Sequence, residues 1–390
     1  MQKTDSKGRI LRGRWLGRGP VLDLEVRAGR VVSTGAAKRR HHDAGSERHN
    51  FGPTLLDIQV NGAIGVDLQD PTLEAGGLHT ITRHLAQWGV SRWVPTLVTD
   101  SLDAMESAAR VIVEALSDAE LAAAIPGIHL EGPFISPMDG PRGAHPLAHV
   151  LQPDVKAFRR LDKACGGKLL YMTLAPEGKG AVTLIRAICG SGARVSLGHH
   201  HAEAAAIRAA ADAGATLCTH LGNGVLPQLQ RHFNPLWPQL ADERLTASVI
   251  ADGHHLPEDV LRTIVRAKGA QRIIAVSDAV HLSGLKPGPY EIFGGKVELL
   301  KTGKIVIPGT PLLAGSASML TPCVAHLAKR GGMTWAEAFA SASKNPARAL
   351  GLPPRDTRPV SGKAADFLLL DPESKTMQPE AVYIRGQRLR

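Results

Sequence analysis

Polar and ionisable residues recur at the ends of apolar runs in this chain. Asp57, Gln59 and Asn61 close the run TLLDIQV (54–60), and His129 and Glu131 close IPGIHLE (125–131). His199 ends RVSLGH (194–199), His220 lies in TLCTHL (216–221), and Asp252 ends ASVIAD (247–252) just before His254 and His255. Asp278 lies in the last such run, RIIAVSDA (272–279). A charged or imidazole group in an apolar strand is costly to bury without a partner. One histidine satisfied by hydrogen bonds would be ordinary, but six strand ends carrying such groups together do not make a packing pattern. Glu131, His199 and His220 offer one carboxylate oxygen and two imidazole nitrogens, a set that suits a divalent metal with a position left for water. Such an ion lowers the pKa of its water towards about 7. Asp278 is then the candidate base, taking a proton as water attacks a carbonyl and handing it to the leaving nitrogen. His255 is the candidate donor to the carbonyl oxygen as charge develops there. The competing interpretation is a structural polar network with no chemistry.

The elements that must position these groups follow from the same runs. Two further apolar segments, RWVPTLVT (92–99) and KLLYMTLA (168–175), bring the expected buried strands to eight. Between them lie segments with helical spacing such as 203–214 and 258–269, the second ending in Gly269 after a basic last turn. Eight strands alternating with helices over roughly 250 residues predict a (β/α)8 barrel, whose strand C-termini share one mouth. An open doubly wound sheet would show fewer strands and a glycine-rich phosphate turn, and no G-x-G-x-x-G follows a strand here. The ends of the chain differ. Residues 8–34, 365–371 and 381–390 are short, turn-punctuated and β-like, which predicts a small β-sandwich domain built from both termini (1–52 and 355–390) around the barrel (53–354). The polar stretch 37–49 is expected to be a loose surface connection, with His41 and His42 solvated.

Composition removes several other classes. The chain has 390 residues, 43% hydrophobic and 21% charged, which is ordinary globular usage and excludes wholesale disorder. Its net charge of +10 is mostly terminal, since residues 1–50 hold 12 Lys/Arg against 5 Asp/Glu. No aromatic residues interleave that charge as base-stacking platforms would, so no nucleic-acid partner is expected. No apolar run approaches the ~18 residues of a membrane span, and no hydrophobic stretch follows the basic N-terminus. Four widely spaced cysteines with no C-x-x-C pair point to reduced thiols and a cytoplasmic location.

A run of motifs brings a family into view. The chain reads PTLLDIQVNG (53–62), GIHLEGPF (127–134), RGAHP (142–146) and VSLGH (195–199). It continues with AGATLCTHLGN (213–223), IADGHH (250–255), SDA (277–279), LAGS (313–316), SKNPARALGL (343–352) and GKAADF (362–367). In this order the run resembles the N-acetylglucosamine-6-phosphate deacetylases of the amidohydrolase superfamily. The resemblance implies hydrolysis of the acetyl amide of a small-molecule N-acetylamino sugar phosphate, releasing acetate. It carries the metal ligands onto Glu131, His199 and His220, the catalytic aspartate onto Asp278 and the substrate histidine onto His255. Gln59 and Asn61 stand where many superfamily members have a His-x-His pair. Amides are poor ligands for a second ion, so one divalent metal per subunit is expected, Zn²⁺ first and Fe²⁺, Co²⁺ or Mn²⁺ as alternatives. Ala144, His145, Asn223 and Gly224 match sugar and phosphate contacts, with Gln59 and Asn61 beside them. Arg231 matches an arginine lent to the neighbouring subunit's phosphate site, which implies a homodimer.

The departures from the pattern concern substrate rather than chemistry. After Arg231 the chain runs His232-Phe233-Asn234-Pro235-Leu236-Trp237-Pro238 in place of the family's Arg-acidic-Pro-Gly, and the family's Asn-Ala is Asn223-Gly224. The aromatic loop implies either a reshaped pocket or an apolar patch packed at a dimer interface. His281 adds a polar group near the expected mouth, and the segment before LAGS is longer (309–313). An alternative therefore keeps the mechanism and changes the substrate to an unphosphorylated N-acyl sugar or another small N-acyl compound. A further alternative, a silent ligand-binding barrel, gains little while all four chemical residues are retained.

Overall fold

The computed structural model describes residues 8–38, 41–292, 295–310, 313–353, 355 and 358–390. All eight expected barrel strands are present: β1 (Leu55–Val60), β2 (Val90–Val98), β3 (Ile128–Glu131), β4 (Leu169–Leu174), β5 (Arg194–Leu197), β6 (Ala215–Cys218), β7 (Thr246–Ile250) and β8 (Ile273–Val276). They pair in parallel in sequence order. Strands buried on both faces read as continuous apolar runs, which is why they are legible; all nine residues of β2 are buried. The barrel closes just beyond the ends of β8 and β1, where Val60 and Ala279 form a parallel bridge and Asn61 N–H donates to the Ala279 carbonyl at 2.7 Å. The third strand starts at Ile128 rather than 125, because a short helix (Ala119–Ala124) runs up to Pro126, which has no N–H for a ladder.

Helices cover the barrel wherever the apolar spacing of the intervening segments allows. Helix 75–87 buries Leu78, Ile81 and Leu85 in the main core, each worth about 1.5–3 kcal/mol relative to exposure. Helix 102–115 is capped by Ser101, whose side chain accepts from Ala104 N–H. The two expected helices span Ala204–Ala213 and Glu258–Lys268, and both end on glycines with positive φ, Gly214 at 117° and Gly269 at 73°.

The termini build one seven-stranded ladder from Arg9–Trp15, Leu22–Arg27, Arg30–Ala36, Ala44–Pro53, Phe367–Leu370, Ala381–Ile384 and Gln387–Arg388. It curls until Arg30–Ala36 meets the segment leading into Phe367–Leu370: Ala365 N–H donates to the Gly29 carbonyl and Val31 N–H to the Lys363 carbonyl, enclosing Leu11, Leu24, Phe51, Phe367 and Tyr383. Alternation divides the side chains, so Leu368, Leu370 and Val382 pack on the barrel instead. The connection expected over 37–49 is corrected in its second half. Residues 44–49 belong to a strand whose polar side chains face water, while His49 turns inward to Glu380 at 2.6 Å. His41 is exposed as expected.

Beyond β8 an antiparallel hairpin sheet (Gly288–Ile292, Gly295–Leu299, Ile305–Val306) was not among the expected elements. It encloses its own core of Val280, Leu282, Ile292, Val297, Leu299 and Ile305. Its alternation of apolar and polar residues was the available signal.

Candidate active site

The C-terminal ends of the strands converge on a cleft of about 610 Å³. At its floor His199 Nε2 and His220 Nε2 approach Glu131 Oε1 at 3.2 and 3.0 Å and each other at 3.1 Å. Both histidines and Glu131 are buried. Among the described residues they are the one group of three or more His, Cys, Asp and Glu side chains whose donor atoms lie this close. Four-coordinate zinc with ligands near 2.0–2.1 Å has ligand atoms about 3.3 Å apart, so the observed spacing fits an ion of that size. Orientation fits too. His199 Nδ1 donates to the Pro141 carbonyl at 2.9 Å, which leaves its Nε2 as a lone pair facing the cluster. Two imidazole nitrogens in mutual contact with a carboxylate are a donor set made for a cation. Burial alone would raise the Glu131 carboxyl, but the contacts with His199 and His220 hold it well below the usual range. Burial likewise opposes charge on His220, yet the same carboxylate raises it.

Backbone conformation helps to aim these groups. His199, His220 and Asp278 all have positive φ (52°, 29° and 51°), a region that costs a non-glycine residue roughly 1–3 kcal/mol and collects at functional sites. Gly198 lets β5 pass between Thr219 and Thr173, since a Cβ there would lie 2.7 and 2.8 Å from their side chains. Gly224, with φ 59°, has the His199 ring where a Cβ would stand, 3.0 Å from Nδ1. Gly224 thus seats this loop close against a cluster histidine.

Asp278 is joined to the cluster by two amides. Its Oδ1 accepts from Asn61 Nδ2 at 2.8 Å and from Gln59 Nε2 at 3.1 Å, and the same Gln59 nitrogen reaches both Glu131 oxygens at 3.2 and 3.1 Å. Burial and then the neighbouring Glu131 charge push the Asp278 carboxyl up to about 6. Gln59 was expected among the substrate contacts; it does not line the cleft and instead bridges the two carboxylates from behind. Gln59 lies on β1 and Asn61 just past its end.

The other expected residues divide as follows. Asn61, Ala144, His145, Asn223, Gly224 and His255 line the cleft together with Glu131, His199, His220 and Asp278. Arg231 is exposed and outside this chain's cleft. Phe233 and Trp237 are 81% and 50% exposed and also outside it, so they do not reshape this chain's own pocket; Leu236 of the same loop does line it. His281 is likewise outside the lining and faces Asp67 at 3.4 Å. His200 and His201 precede helix 204–213 and stay out of the cluster.

How several of these residues interact was not read from sequence. His145 packs its ring edge-on against His199 at 4.3 Å, and burial pushes its pKa well below the usual histidine range, so it is neutral. Its Nδ1 sits 2.9 Å from Thr99 Oγ1 and 3.4 Å from Thr99 N–H, an acceptor's environment that leaves the proton on Nε2. His255 Nδ1 is 2.8 Å from Asp252 Oδ2, and hydrogen bonds from His255 and His254 hold that carboxylate at about 2 against the effect of burial. His254 and Lys304 also line the cleft.

A closed parallel barrel with a buried cation-binding set and a carboxylate of raised pKa beside it defines a metal-dependent barrel hydrolase. Residues 52–389 match the amidohydrolase family. The chain is 34% identical to the N-acetylglucosamine-6-phosphate deacetylase of Bos taurus, over 97% of this chain and 93% of that one. It is 31% identical to the N-acetylgalactosamine-6-phosphate deacetylase of Escherichia coli O157:H7, over 86% of each. The crystal structure of N-acetyl-D-glucosamine-6-phosphate deacetylase from Mycobacterium smegmatis superposes with a TM-score of 0.84 at 28% identity, covering 98% of this chain and all of the other. A D267A mutant of that enzyme, in complex with N-acetyl-D-glucosamine-6-phosphate, superposes equally well. The chain belongs to the N-acetylglucosamine-6-phosphate deacetylase family of the amidohydrolases.

Proposed function

We propose that this protein hydrolyses the acetyl amide of N-acetylglucosamine-6-phosphate to glucosamine-6-phosphate and acetate. The observation that carries the assignment is Asp278 linked through Gln59 to the Glu131–His199–His220 cluster in one cleft. Zn²⁺ is the ion we assign to that cluster. A divalent ion there would polarise the acetyl carbonyl and make water acidic enough to attack near neutral pH.

The chain's own groups do the rest. Asp278 removes a proton from the attacking water and delivers it to the amide nitrogen as the C–N bond breaks, so the amine leaves neutral, and the acetic acid formed gives its remaining proton to solvent or to the free amine to become acetate. A pKa near 6 suits a group that must accept and then return a proton. We assign the donor to the carbonyl oxygen to His145 rather than His255, because neutral His145 keeps its proton on Nε2 beside the cluster. His255, with Nδ1 taken by Asp252, has Nε2 left for a substrate oxygen. We take residues 53–354 as the catalytic barrel and the terminal segments as its companion sheet. An exposed Arg231 outside its own cleft supports a homodimer in which it serves the neighbour, and four free cysteines support a cytoplasmic enzyme.

The test is acetate release by Zn²⁺-loaded protein from N-acetylglucosamine-6-phosphate, its galactosamine epimer and unphosphorylated N-acetylglucosamine. The phosphorylated glucosamine should be preferred. Chelation should abolish turnover, and about one equivalent of Zn²⁺ per chain should restore it. Full activity of Asp278→Asn in metal-replete protein would refute the mechanism. Turnover of the unphosphorylated sugar alone would refute the substrate.

A further inference from the structure

We propose that Lys304 supplies, from within the same chain, a cation that binds the phosphate of the substrate, in addition to the arginine that the neighbouring chain would lend. The inference rests on the deacetylase assignment and names a specificity residue for it. A phosphate dianion brought into a cleft whose lining includes many Val, Leu, Ile and Pro side chains needs charged or N–H donors to replace its water. Several of the lining donors are already engaged. Asn223 donates both its backbone N–H and its Nδ2 to the His220 carbonyl, at 2.9 and 3.2 Å. His255 Nδ1 is held by Asp252, and His254 Nε2 donates to the Thr302 carbonyl at 2.9 Å. Arg231 is not in this chain's cleft.

Lys304 is the one lysine or arginine among the described residues that line the cleft, and it has no ion-pair partner among them. It is half-buried, so its charge is shielded from water more than that of an ordinary surface lysine. Its backbone is also fixed. Leu300 N–H donates to the Lys304 carbonyl at 2.8 Å and Gly303 N–H to Leu300 at 2.9 Å, closing a tight turn at the tip of the hairpin sheet. The His254–Thr302 hydrogen bond fastens that turn to the loop that carries His255. The hairpin therefore anchors the backbone of a cleft-lining lysine to the loop that carries His255.

The test compares Lys304→Met, Lys304→Arg and Lys301→Met, the last removing an exposed charge from the same hairpin outside the cleft lining. Steady-state constants are measured on N-acetylglucosamine-6-phosphate and N-acetylglucosamine, with inorganic phosphate as a competing anion. Lys304→Met should lower the kcat/KM preference for the phosphorylated sugar on the order of 10- to 100-fold, mostly through KM, as loss of one charge-assisted contact requires. It should weaken inhibition by phosphate in parallel. Lys304→Arg should recover most of the preference, and Lys301→Met should keep it. Retention of the preference and of phosphate inhibition in Lys304→Met would overturn the proposal while the deacetylase assignment stood. An equal loss in Lys301→Met would also overturn it, by showing a diffuse field rather than a contact. Wild-type protein indifferent to the phosphate would overturn the assignment itself.

Discussion

Asn61→Ala isolates what the amide pair does for Asp278, the carboxylate proposed as the base. Asn61 Nδ2 donates to Asp278 Oδ1 at 2.8 Å, the shorter of the two hydrogen bonds that oxygen receives from Gln59 and Asn61. The bond favours the ionised form, working against burial and the Glu131 charge that raise the pKa to about 6. A hydrogen bond to a charged group is worth about 1.5–3 kcal/mol, and one pKa unit is 1.36 kcal/mol, so full loss would raise Asp278 by roughly one to two units. Gln59 still donates in the variant and cleft water can enter, so a rise of about one unit is expected. The sign is fixed by the role. Asp278 accepts a proton only when ionised, so activity is lost as pH falls through its pKa, and raising that pKa moves the loss to higher pH. The assay is kcat/KM for acetate release between about pH 5 and 9 in metal-loaded wild type and variant, because this parameter reports ionisations of the free enzyme. Asn61 also lines the cleft and its loss can weaken binding, but a uniform loss of binding lowers the profile without moving its acid limb. An acid limb that stays at the wild-type pH would refute the coupling of Asn61 to Asp278.

Two further substitutions test the frame. Gly52 lets the terminal sheet approach the barrel, since a Cβ there would lie 2.3 Å from Phe339 Cε1. Gly52→Ala should cost about 1–3 kcal/mol in denaturant unfolding, and adding Phe339→Leu should recover part of it; simple additivity of the two would contradict the contact. Asp57 is fully buried, its Oδ2 has no hydrogen-bond partner, and burial pushes its pKa up to about 7. A carboxyl raised in the folded state stabilises the fold while protonated, and that contribution fades as pH rises from about 4 through about 7. Asp57→Asn should therefore gain stability relative to wild type as pH rises from 5 to 8, by roughly 2–3 kcal/mol. Parallel stability curves for the two proteins across that range would show that Asp57 ionises freely in the fold.

Much of this architecture is legible in one dimension because barrel strands are buried on both faces. A run such as RWVPTLVT (92–99) has nowhere to be except inside, and a carboxylate or imidazole at its end stands out against it. Glu131, His199, His220 and Asp278 were readable for that reason, although 147 positions separate the first from the last. The hairpin sheet was harder. Its strands carry one buried and one exposed face, and the alternation over two to five residues is short. The strand over 44–53 begins with polar residues because that part of it faces solvent.

By itself, then, the order of apolar runs and terminal polar groups determined the barrel and marked out the residues proposed as cation-binding set and base, since those depend on burial period and side-chain type. Only the tertiary structure decided how the remaining polar groups are used. Gln59 and Asn61 are alike in sequence, one position apart on either side of Val60, yet Gln59 lies behind the two carboxylates while Asn61 faces the cleft. His145 and His255 are both motif histidines, but Thr99 leaves one with its proton on Nε2 and Asp252 takes Nδ1 of the other. Lys304 reaches the cleft through a hairpin tip fastened by His254, fifty residues earlier in the chain. Which atom of a polar side chain is free depends on its partners, and those are brought by strands and loops distant in sequence.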